Sequence, residues 1–262
     1  MIEINKVYCE NCLDTMSRMP DNFIDLTVTS PPYDNLRTYK GYEFDFESIA
    51  KELYRVTKQG GVVVWVVGDA TINGSETGTS FRQALYFKDV CGFNLHDTMI
   101  YLKNQLAFPD SKRYYNAFEY MFVLCKGKLN TFNPIKDRKN ISVGRDVHGC
   151  ERHKDGTLRR IRSCNGNIIK DFGIRWNYQL YYNSKRGIET KHPAVFPEQL
   201  ANDHIISWSN AGDLVYDPFM GSGTTAKMAI VNNRNYIGSE ISQEYCEIIN
   251  KRLEQIQPRL DI

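Results

Sequence analysis

Residues 214–231 read LVYDPFMGSGTTAKMAIV, and this segment indicates the fold most clearly. Residues 214–216 have the apolar composition of a buried strand, and Thr224–Val231 has that of a helix. The turn at 217–223 carries two glycines, which let the backbone approach a ligand closely. The helix that starts after the turn offers free N–H groups to a negatively charged group. We therefore predict a strand, loop and helix that together bind a ligand.

An acidic residue follows the next predicted strand at a spacing that suits a nucleoside. Residues 235–238 are predicted to form that strand, and Glu240 comes just after it, 23 positions beyond Asp217. A carboxylate at this strand end is placed to accept hydrogen bonds from ribose hydroxyls. No lysine follows the glycines as in a phosphate-binding loop, which disfavours a nucleoside triphosphate. The pattern predicts a nucleoside-containing cofactor of another kind.

Predicted strands and helices alternate on both sides of this unit. Such alternation indicates an α/β fold with a doubly wound, mostly parallel sheet, whose ligands bind at the carboxyl ends of the strands. Residues 62–67 form a continuous apolar run, as expected of a strand that is buried on both faces. The other predicted elements are strands at 24–29, 98–102 and 119–124 and helices at 46–59, 81–90, 198–207 and 242–253.

A second motif, Thr29-Ser30-Pro31-Pro32-Tyr33, follows a predicted strand. The two prolines fix the backbone and remove two N–H donors, which leaves the Pro31 carbonyl able to accept a hydrogen bond from an amino group. The Ser30 hydroxyl can accept from the other hydrogen of that group, and the Tyr33 ring can stack on a base. Taken alone, the motif is equally consistent with a rigid turn around a buried tyrosine.

Positive charge is concentrated between the two motifs. Residues 126–191 hold 16 lysines and arginines against 6 aspartates and glutamates, a net charge of +10. The rest of the chain has 17 and 25 of these residues, a net charge of −8. A basic block inside an otherwise acidic chain indicates a polyanionic partner such as nucleic acid. The alternative is a solvated loop.

Composition disfavours several classes of protein. The chain has 262 residues, 42% of them hydrophobic, which is enough to bury a large core. No apolar run reaches the ~20 residues of a membrane helix, and no secretion signal is predicted, so we expect a cytoplasmic protein. Seven irregularly spaced cysteines argue against a disulfide framework. We expect no metal site, although an alternative set of zinc ligands exists in His148, Cys150, His153 and Cys164.

The two motifs together resemble those of the DNA amino-methyltransferases. The catalytic motif of that family is Asp, Asn or Ser followed by Pro-Pro-Tyr, and its cofactor motif is an Asp-Pro-Phe-x-Gly-Ser-Gly-Thr loop. Here the catalytic motif comes first, the basic block second and the cofactor loop last, an order that resembles the beta class. The resemblance covers nearly the whole chain outside the basic block. It implies a Rossmann-like methyltransferase fold with permuted motif order and S-adenosylmethionine as cofactor.

The resemblance also divides the chain and assigns its site residues. It implies a catalytic half at 1–125, a basic target-recognition insertion at 126–190 and a cofactor-binding half at 191–262. The residues implied to be catalytic are Ser30, Pro31, Pro32 and Tyr33. Those implied to bind the cofactor are Asn11, Cys12, Thr29, His192, Ala194, Phe196, Asp217, Phe219, Gly221, Ser222, Gly223, Thr224, Glu240 and Ile241.

Individual roles follow from the matching family segments. Asn11 and Cys12 resemble the second and third residues of a Gly-Asp-Cys-Leu-like segment that holds the cofactor adenine, with Asn in place of Asp. Residues 192–197 resemble the segment that wraps the methionine end of the cofactor. Glu240 and Ile241 would hold the ribose and flank the adenine. The target-recognition insertion varies greatly within the family, so the resemblance implies no individual roles for its residues.

The implied reaction methylates an exocyclic amino nitrogen of a base flipped out of double-stranded DNA. Ser30 and the segment at 192–197 resemble the cytosine-N4 enzymes, so N4 of cytosine is preferred and N6 of adenine is the alternative. Rival classes are an RNA methyltransferase, a protein-glutamine methyltransferase and a non-catalytic DNA-binding relative. The long basic insertion disfavours the glutamine enzyme. A non-catalytic relative would be expected to lose Ser30, the glycines of the loop or Glu240, and this chain has all of them. A homodimer and a cognate restriction endonuclease stay open as partners, and no membrane partner is expected.

Overall fold

The computed structural model describes residues 2–32, 44–104, 112–147, 149–161, 167–182 and 197–256. The helices are α1 (Cys12–Ser17), α2 (Phe46–Val56), α3 (Thr79–Tyr86, continued by a π-helical turn at Phe87–Cys91), α4 (Glu198–Trp208), α5 (Thr224–Val231) and α6 (Gln243–Leu253). The strands are β1 (Lys6–Tyr8), β2 (Ile24–Thr29), β3 (Thr57–Val67), β4 (Thr71–Ile72), β5 (Ser75–Glu76), β6 (Asn94–Lys103), β7 (Phe118–Cys125), β8 (Arg138–Lys139), β9 (Cys150–Arg152), β10 (Leu158–Arg160), β11 (Phe172–Gly173), β12 (Tyr178–Tyr181), β13 (Leu214–Asp217) and β14 (Asn235–Ser239).

The chain forms two compact units. The larger unit comprises Met1–Asn133 and Asn177–Ile262, and the smaller unit comprises Pro134–Trp176. In the larger unit, eight described strands form one sheet in the order β1-β14-β13-β2-β3-β7-β6-β12. Neighbouring strands are parallel, except that β7 runs antiparallel to both β3 and β6. The predicted α/β fold with a mostly parallel sheet is therefore confirmed.

Strand β3 supplies side chains to both faces of this sheet. Val63, Trp65 and Val67 pack in the core that includes α1, α2 and α3, whereas Val62, Val64 and Val66 pack in the core that includes α4 and α5. All six are at most 1% exposed. A strand with helices on both faces has no solvent side, which explains why its sequence is apolar without alternation.

The helix predicted at 46–59 is too long, because α2 ends at Val56 and β3 begins at Thr57. The end of the helix is fixed by tertiary contacts. The Lys126 ammonium, from the chain just after β7, donates to the carbonyl oxygens of Tyr54 at 2.7 Å and Thr57 at 2.9 Å. Gly60 lies within β3 with a φ of 79°. The donor to these carbonyl oxygens, Lys126, is distant in sequence, so a local sequence pattern could not identify it.

Two further differences concern short elements near the sequence motifs. The helix predicted at 81–90 begins at Thr79, and its last turn is π-helical. Strand β1 and helix α1 were not predicted. An asparagine before a partly apolar stretch is an N-cap pattern, and Asn11 does accept a hydrogen bond from Leu13 N at 2.9 Å. The sequence therefore contained a usable indication of α1.

The smaller unit contains a short hairpin, β9–β10, and a second antiparallel pair, β8–β11, whose strands are distant in sequence. It lies inside the predicted insertion at 126–190. Strand β12, which that prediction also placed in the insertion, pairs with β6 in the main sheet, and Tyr181 at its end is 2% exposed. Lys126 is likewise buried in the larger unit. None of the helices in the described residues has the length and apolar character needed to cross a membrane.

Candidate cofactor and catalytic site

The predicted site residues that the structure describes lie at one edge of the main sheet. Strands β1, β14, β13 and β2 are parallel neighbours, so their carboxyl ends lie side by side, where ligands of such sheets bind. Asn11 lies shortly after β1, Glu240 directly after β14 and Ser30 directly after β2, and the glycine loop begins where β13 ends. The topology thus assembles residues from both ends of the chain.

Asp217 links the catalytic motif to the glycine loop. Its Oδ1 accepts hydrogen bonds from Thr29 Oγ1 at 2.6 Å and Phe219 N at 3.0 Å, and its Oδ2 accepts one from Thr225 Oγ1 at 2.7 Å. Burial raises the pKa of Asp217 above its ordinary value, and these three donors oppose that rise. Thr29 and Asp217, both predicted to bind the cofactor, therefore bind each other and hold the two motifs together.

The glycine loop curls back over the end of β14 before α5 begins. Gly221 and Gly223 have φ values of 54° and 80°, in the left-handed region that favours glycine. A Cβ on Gly223 would also lie 2.9 Å from Ile249 Cγ2, so this position has no room for a side chain. Met220 N donates to Ser239 O at 2.9 Å, and Gly223 N donates to Met220 O at 2.9 Å. The loop is a closed backbone turn whose one large aromatic side chain, Phe219, is half-buried and packs edge-on against Phe44 and Trp65.

Glu240 lies against this loop at the end of β14. Its Oε2 accepts from Gly221 N at 2.8 Å, and its Oε1 accepts from Ser242 N at 2.9 Å. Burial raises the pKa of Glu240, the two backbone donors oppose the rise, and the charge of Asp217 adds to it. Each carboxylate oxygen can accept more than one hydrogen bond, so acceptor capacity for ribose hydroxyls remains. Ile241, beside it, is 41% exposed and offers apolar surface to a base.

The residues after β1 have structural partners at the same edge. Asn11 caps α1, and Cys12 in the first turn of α1 is 2% exposed. Glu10 accepts a hydrogen bond from Thr15 Oγ1 at 2.7 Å and forms an ion pair with Arg18. The end of β1 is therefore rigid beside Glu240, whose N–H donates to Tyr8 O at 3.0 Å.

The catalytic motif continues directly from β2. Pro31 is buried, and Ser30 and Pro32 are half-buried. Tyr33, His192, Ala194 and Phe196 were also predicted to belong to the site, and they lie outside the described residues. The glycine loop, Glu240 and Ile241, which we call the cradle, together supply a close backbone turn, a carboxylate and an apolar side chain, and these are the groups that a nucleoside requires.

Two polar groups near the site were not predicted from the sequence. Asp69, just after β3, accepts hydrogen bonds from Ser80 N at 2.9 Å and Thr77 Oγ1 at 3.3 Å and so caps α3. Arg252, near the end of α6, donates to Ser222 O in the glycine loop at 2.6 Å. Neither residue stands in a recognisable motif, so only the folded structure reveals its place.

The alternative zinc ligands do not come together in the part of the chain that the structure describes. His148 and Cys164 lie outside that part, and Cys150 is exposed on β9. No group of three or more His, Cys, Asp or Glu side chains among the described residues has an arrangement that could hold a metal.

Comparison with known proteins adds a family match. A family model of N6 and N4 methyltransferases, described as DNA methylase, matches residues 24–251. The orphan methyltransferase M.BamHII of Bacillus amyloliquefaciens is 60% identical over 89% of this chain and 90% of that protein. The type II methyltransferase M.BglII of Bacillus subtilis is 27% identical over 94% of this chain and 68% of that protein. The DNA adenine methyltransferase YhdJ of Escherichia coli (strain K12) is 25% identical over 93% of this chain and 81% of that protein.

Solved structures show the same fold. The PvuII DNA methyltransferase (cytosine-N4-specific) has a TM-score of 0.71 and 20% identity, over 100% of this chain and 89% of that chain. A complex of M1.HpyAVI with SAM has a TM-score of 0.64 and 23% identity, over 95% of this chain and 98% of that chain. The predicted Rossmann-like methyltransferase fold is confirmed.

Proposed function

The chain belongs to the DNA methylase family, and on that premise we propose that it methylates the exocyclic N4 of cytosine in double-stranded DNA. Its methyl donor is S-adenosylmethionine. The observation that carries the proposal is the hydrogen bond between Thr29 and Asp217, which fixes the Ser30-Pro31-Pro32 motif beside a cradle suited to a nucleoside. A methyl donor and an amine acceptor need such adjacent sites.

The cradle accounts for cofactor binding with residues of known position. Glu240 accepts the ribose hydroxyls, Ile241 packs against the adenine, and Gly221 and Gly223 let the backbone approach the cofactor. When bound, the cofactor supplies an electrophilic methyl group on a sulfonium. The remaining task of the protein is to orient a weak nucleophile towards that group.

Ser30 and Pro31 perform this orientation. The lone pair of an exocyclic amine is delocalised into the base, which makes the nitrogen a poor nucleophile. Hydrogen bonds from its two N–H groups to Ser30 Oγ and to the Pro31 carbonyl help to localise the lone pair, and they stabilise the positive charge that develops on nitrogen. The base must first leave the duplex, and Tyr33 stacks against it there.

Cytosine is preferred because Ser30 occupies the position where the adenine enzymes of the family favour aspartate. Likeness to a structure named as cytosine-N4-specific supports the same base. Adenine N6 is the second candidate, since a hydroxyl accepts from either amine and a DNA adenine methyltransferase is among the relatives. A homodimer, a cognate restriction endonuclease and action in the cytoplasm remain predictions from the family resemblance.

Nucleoside analysis tests class and base together. Unmethylated DNA of mixed sequence is incubated with the protein and labelled S-adenosylmethionine, digested to nucleosides and separated by chromatography. We expect label in N4-methylcytosine and none when single-stranded RNA of matched composition replaces the DNA. Label in N6-methyladenine would move the proposal to the second candidate. Unlabelled DNA across many sequences would refute both.

A further inference from the structure

The side chain of Arg252, on α6, donates hydrogen bonds to the glycine loop. Its Nη1 donates to Ser222 O at 2.6 Å and approaches Ser222 Oγ at 3.3 Å and Thr224 Oγ1 at 3.4 Å. One turn earlier on the same helix, Ile249 packs where a Cβ on Gly223 would be. Helix α6 therefore contacts three consecutive loop residues, through one apolar and one charged side chain.

These contacts fix a single peptide unit at both ends. The carbonyl of Ser222 accepts from Arg252, while the N–H of the following Gly223 donates to Met220 O at 2.9 Å. With both ends engaged, the peptide plane cannot rotate without breaking a hydrogen bond. The φ of 80° at Gly223 is thereby held next to the first turn of α5. The loop keeps the shape that a cofactor needs before the cofactor arrives.

Glu198 anchors the other side of the guanidinium. Its Oε1 accepts from Arg252 Nη2 and from Lys227 Nζ, both at 2.6 Å. Burial alone would raise the pKa of Glu198, but the hydrogen bonds and charges of Lys227 and Arg252 outweigh it and hold the pKa below its ordinary value. The Arg252 side chain is only 19% exposed, so solvent screens these interactions weakly. The cluster joins the first turn of α4, helix α5 and helix α6 to the loop.

We propose that Arg252, held by Glu198, is a positioning residue that preorganises the glycine loop for S-adenosylmethionine. The inference rests on the proposed cofactor site and adds residues from two elements that no sequence motif includes. Arg252 acts on the site through the loop, by its contacts with Ser222 and Thr224. Its loss should therefore weaken cofactor binding and leave the rate at saturating cofactor nearly unchanged.

Arg252→Lys is the main test, because it keeps the charge but can reach only one of the two partners. We expect the KM and Kd for S-adenosylmethionine to rise about tenfold in Arg252→Gln and less in Arg252→Lys, with kcat and the KM for DNA within about threefold. Glu198→Gln should raise the same two constants. Lys251→Ala, a neighbour that points to solvent on α6, is the matched control and should behave as wild type.

The outcomes separate this inference from the proposed function. A wild-type protein that neither binds S-adenosylmethionine nor methylates DNA refutes the proposed function itself. A functional wild type with unchanged cofactor constants in Arg252→Gln refutes only the positioning role. A purely structural role would lower the active fraction and Tm and leave the cofactor Kd of the folded protein unchanged, and equal behaviour of Arg252→Lys and Arg252→Gln would also oppose the proposal.

Discussion

Thr29 and Asp217 are 188 positions apart in the chain, yet their side chains are joined by a hydrogen bond of 2.6 Å. Neither side chain is more than 5% exposed. A buried carboxylate needs such donors because burial favours its neutral form. At the scale of the residue, this pair explains how Ser30, next to Thr29, is fixed relative to a loop on another strand.

The catalytic role of Ser30 can be tested by removing its hydroxyl. We expect Ser30→Ala to lower kcat by about ten- to a hundredfold, because one acceptor for the target amine is lost. Cofactor affinity should stay within a few-fold, since Ser30 is not part of the glycine loop. Steady-state methylation and titration calorimetry measure the two effects. Tyr33→Ala should show the same separation, and full activity in both variants would contradict the assignment.

Glu240 predicts a pH dependence of cofactor binding. Burial raises its pKa above the ordinary value of 4.5, so protonation begins at a higher pH than in an exposed glutamate. The ribose hydroxyls require an acceptor, and the affinity for S-adenosylmethionine should therefore fall as the pH is lowered through this raised pKa. The loss can reach about tenfold per pH unit.

Calorimetry over a pH series, from neutral pH down to the lowest pH at which the protein stays folded, measures this effect. Glu240→Gln cannot titrate, so its affinity should be lower at neutral pH and should lack the acid-side decline. Titration of the cofactor itself is common to both proteins and cancels in the comparison. An identical pH profile in the two proteins would show that Glu240 does not hold the ribose.

At the scale of the element, Lys126 supports the end of α2, beside the local cap in which Thr57 donates to Leu53 O. Its ammonium donates to Asn22 Oδ1 at 3.0 Å and to the carbonyls of Tyr54 and Thr57, and it lies 4.6 Å from the centroid of the Tyr54 ring. Lys126 is part of the basic block by sequence, but at 5% exposure it is a structural residue of the larger unit. A charge run thus includes members with different roles.

Replacing Lys126 by methionine should destabilise the protein by about 1–3 kcal/mol, because buried carbonyl groups lose their donors. Urea unfolding followed by circular dichroism measures the change. Lys128→Met, at a nearby exposed position, is the control and should alter stability by less than about 0.5 kcal/mol. Equal stability of the two variants would argue against this role of Lys126.

At the scale of the whole molecule, charge is divided between the two units. The unit Pro134–Trp176 carries 11 lysines and arginines against 5 aspartates and glutamates, a net charge of +6. The rest of the chain carries 22 and 26, a net charge of −4. Exposed residues such as Arg152 and Lys154 on and beside β9 are suited to phosphate contacts.

The affinity for DNA should therefore fall steeply with salt, because bound lysines and arginines release counterions. We expect Arg152→Ala and Lys154→Ala each to reduce the slope of log K against log salt by about 0.9 if the residue contacts one phosphate. Lys88→Ala, in the larger unit, should leave the slope unchanged. Fluorescence anisotropy over a salt series measures it, and binding that does not depend on salt would exclude this unit as the DNA contact.

The fold class, the family and six of the eight described strands of the main sheet could be predicted from the sequence. Apolar runs such as residues 62–67 and the glycine loop depend on local composition and local backbone geometry, which a linear pattern records. Strands β2 and β13 and helix α5 accordingly begin and end within a residue of their predicted bounds.

The contacts that join these strands, helices and loops become visible in the tertiary structure alone. Three hydrogen bonds connect residues that are distant in the chain. They join Lys126 to Tyr54 at the end of α2, Thr29 to Asp217, and Arg252 to Ser222. The place of β12 in the main sheet likewise depends on its pairing with β6. Such contacts have no local pattern, because their partners are chosen by the three-dimensional packing of strands and helices and not by neighbours in sequence.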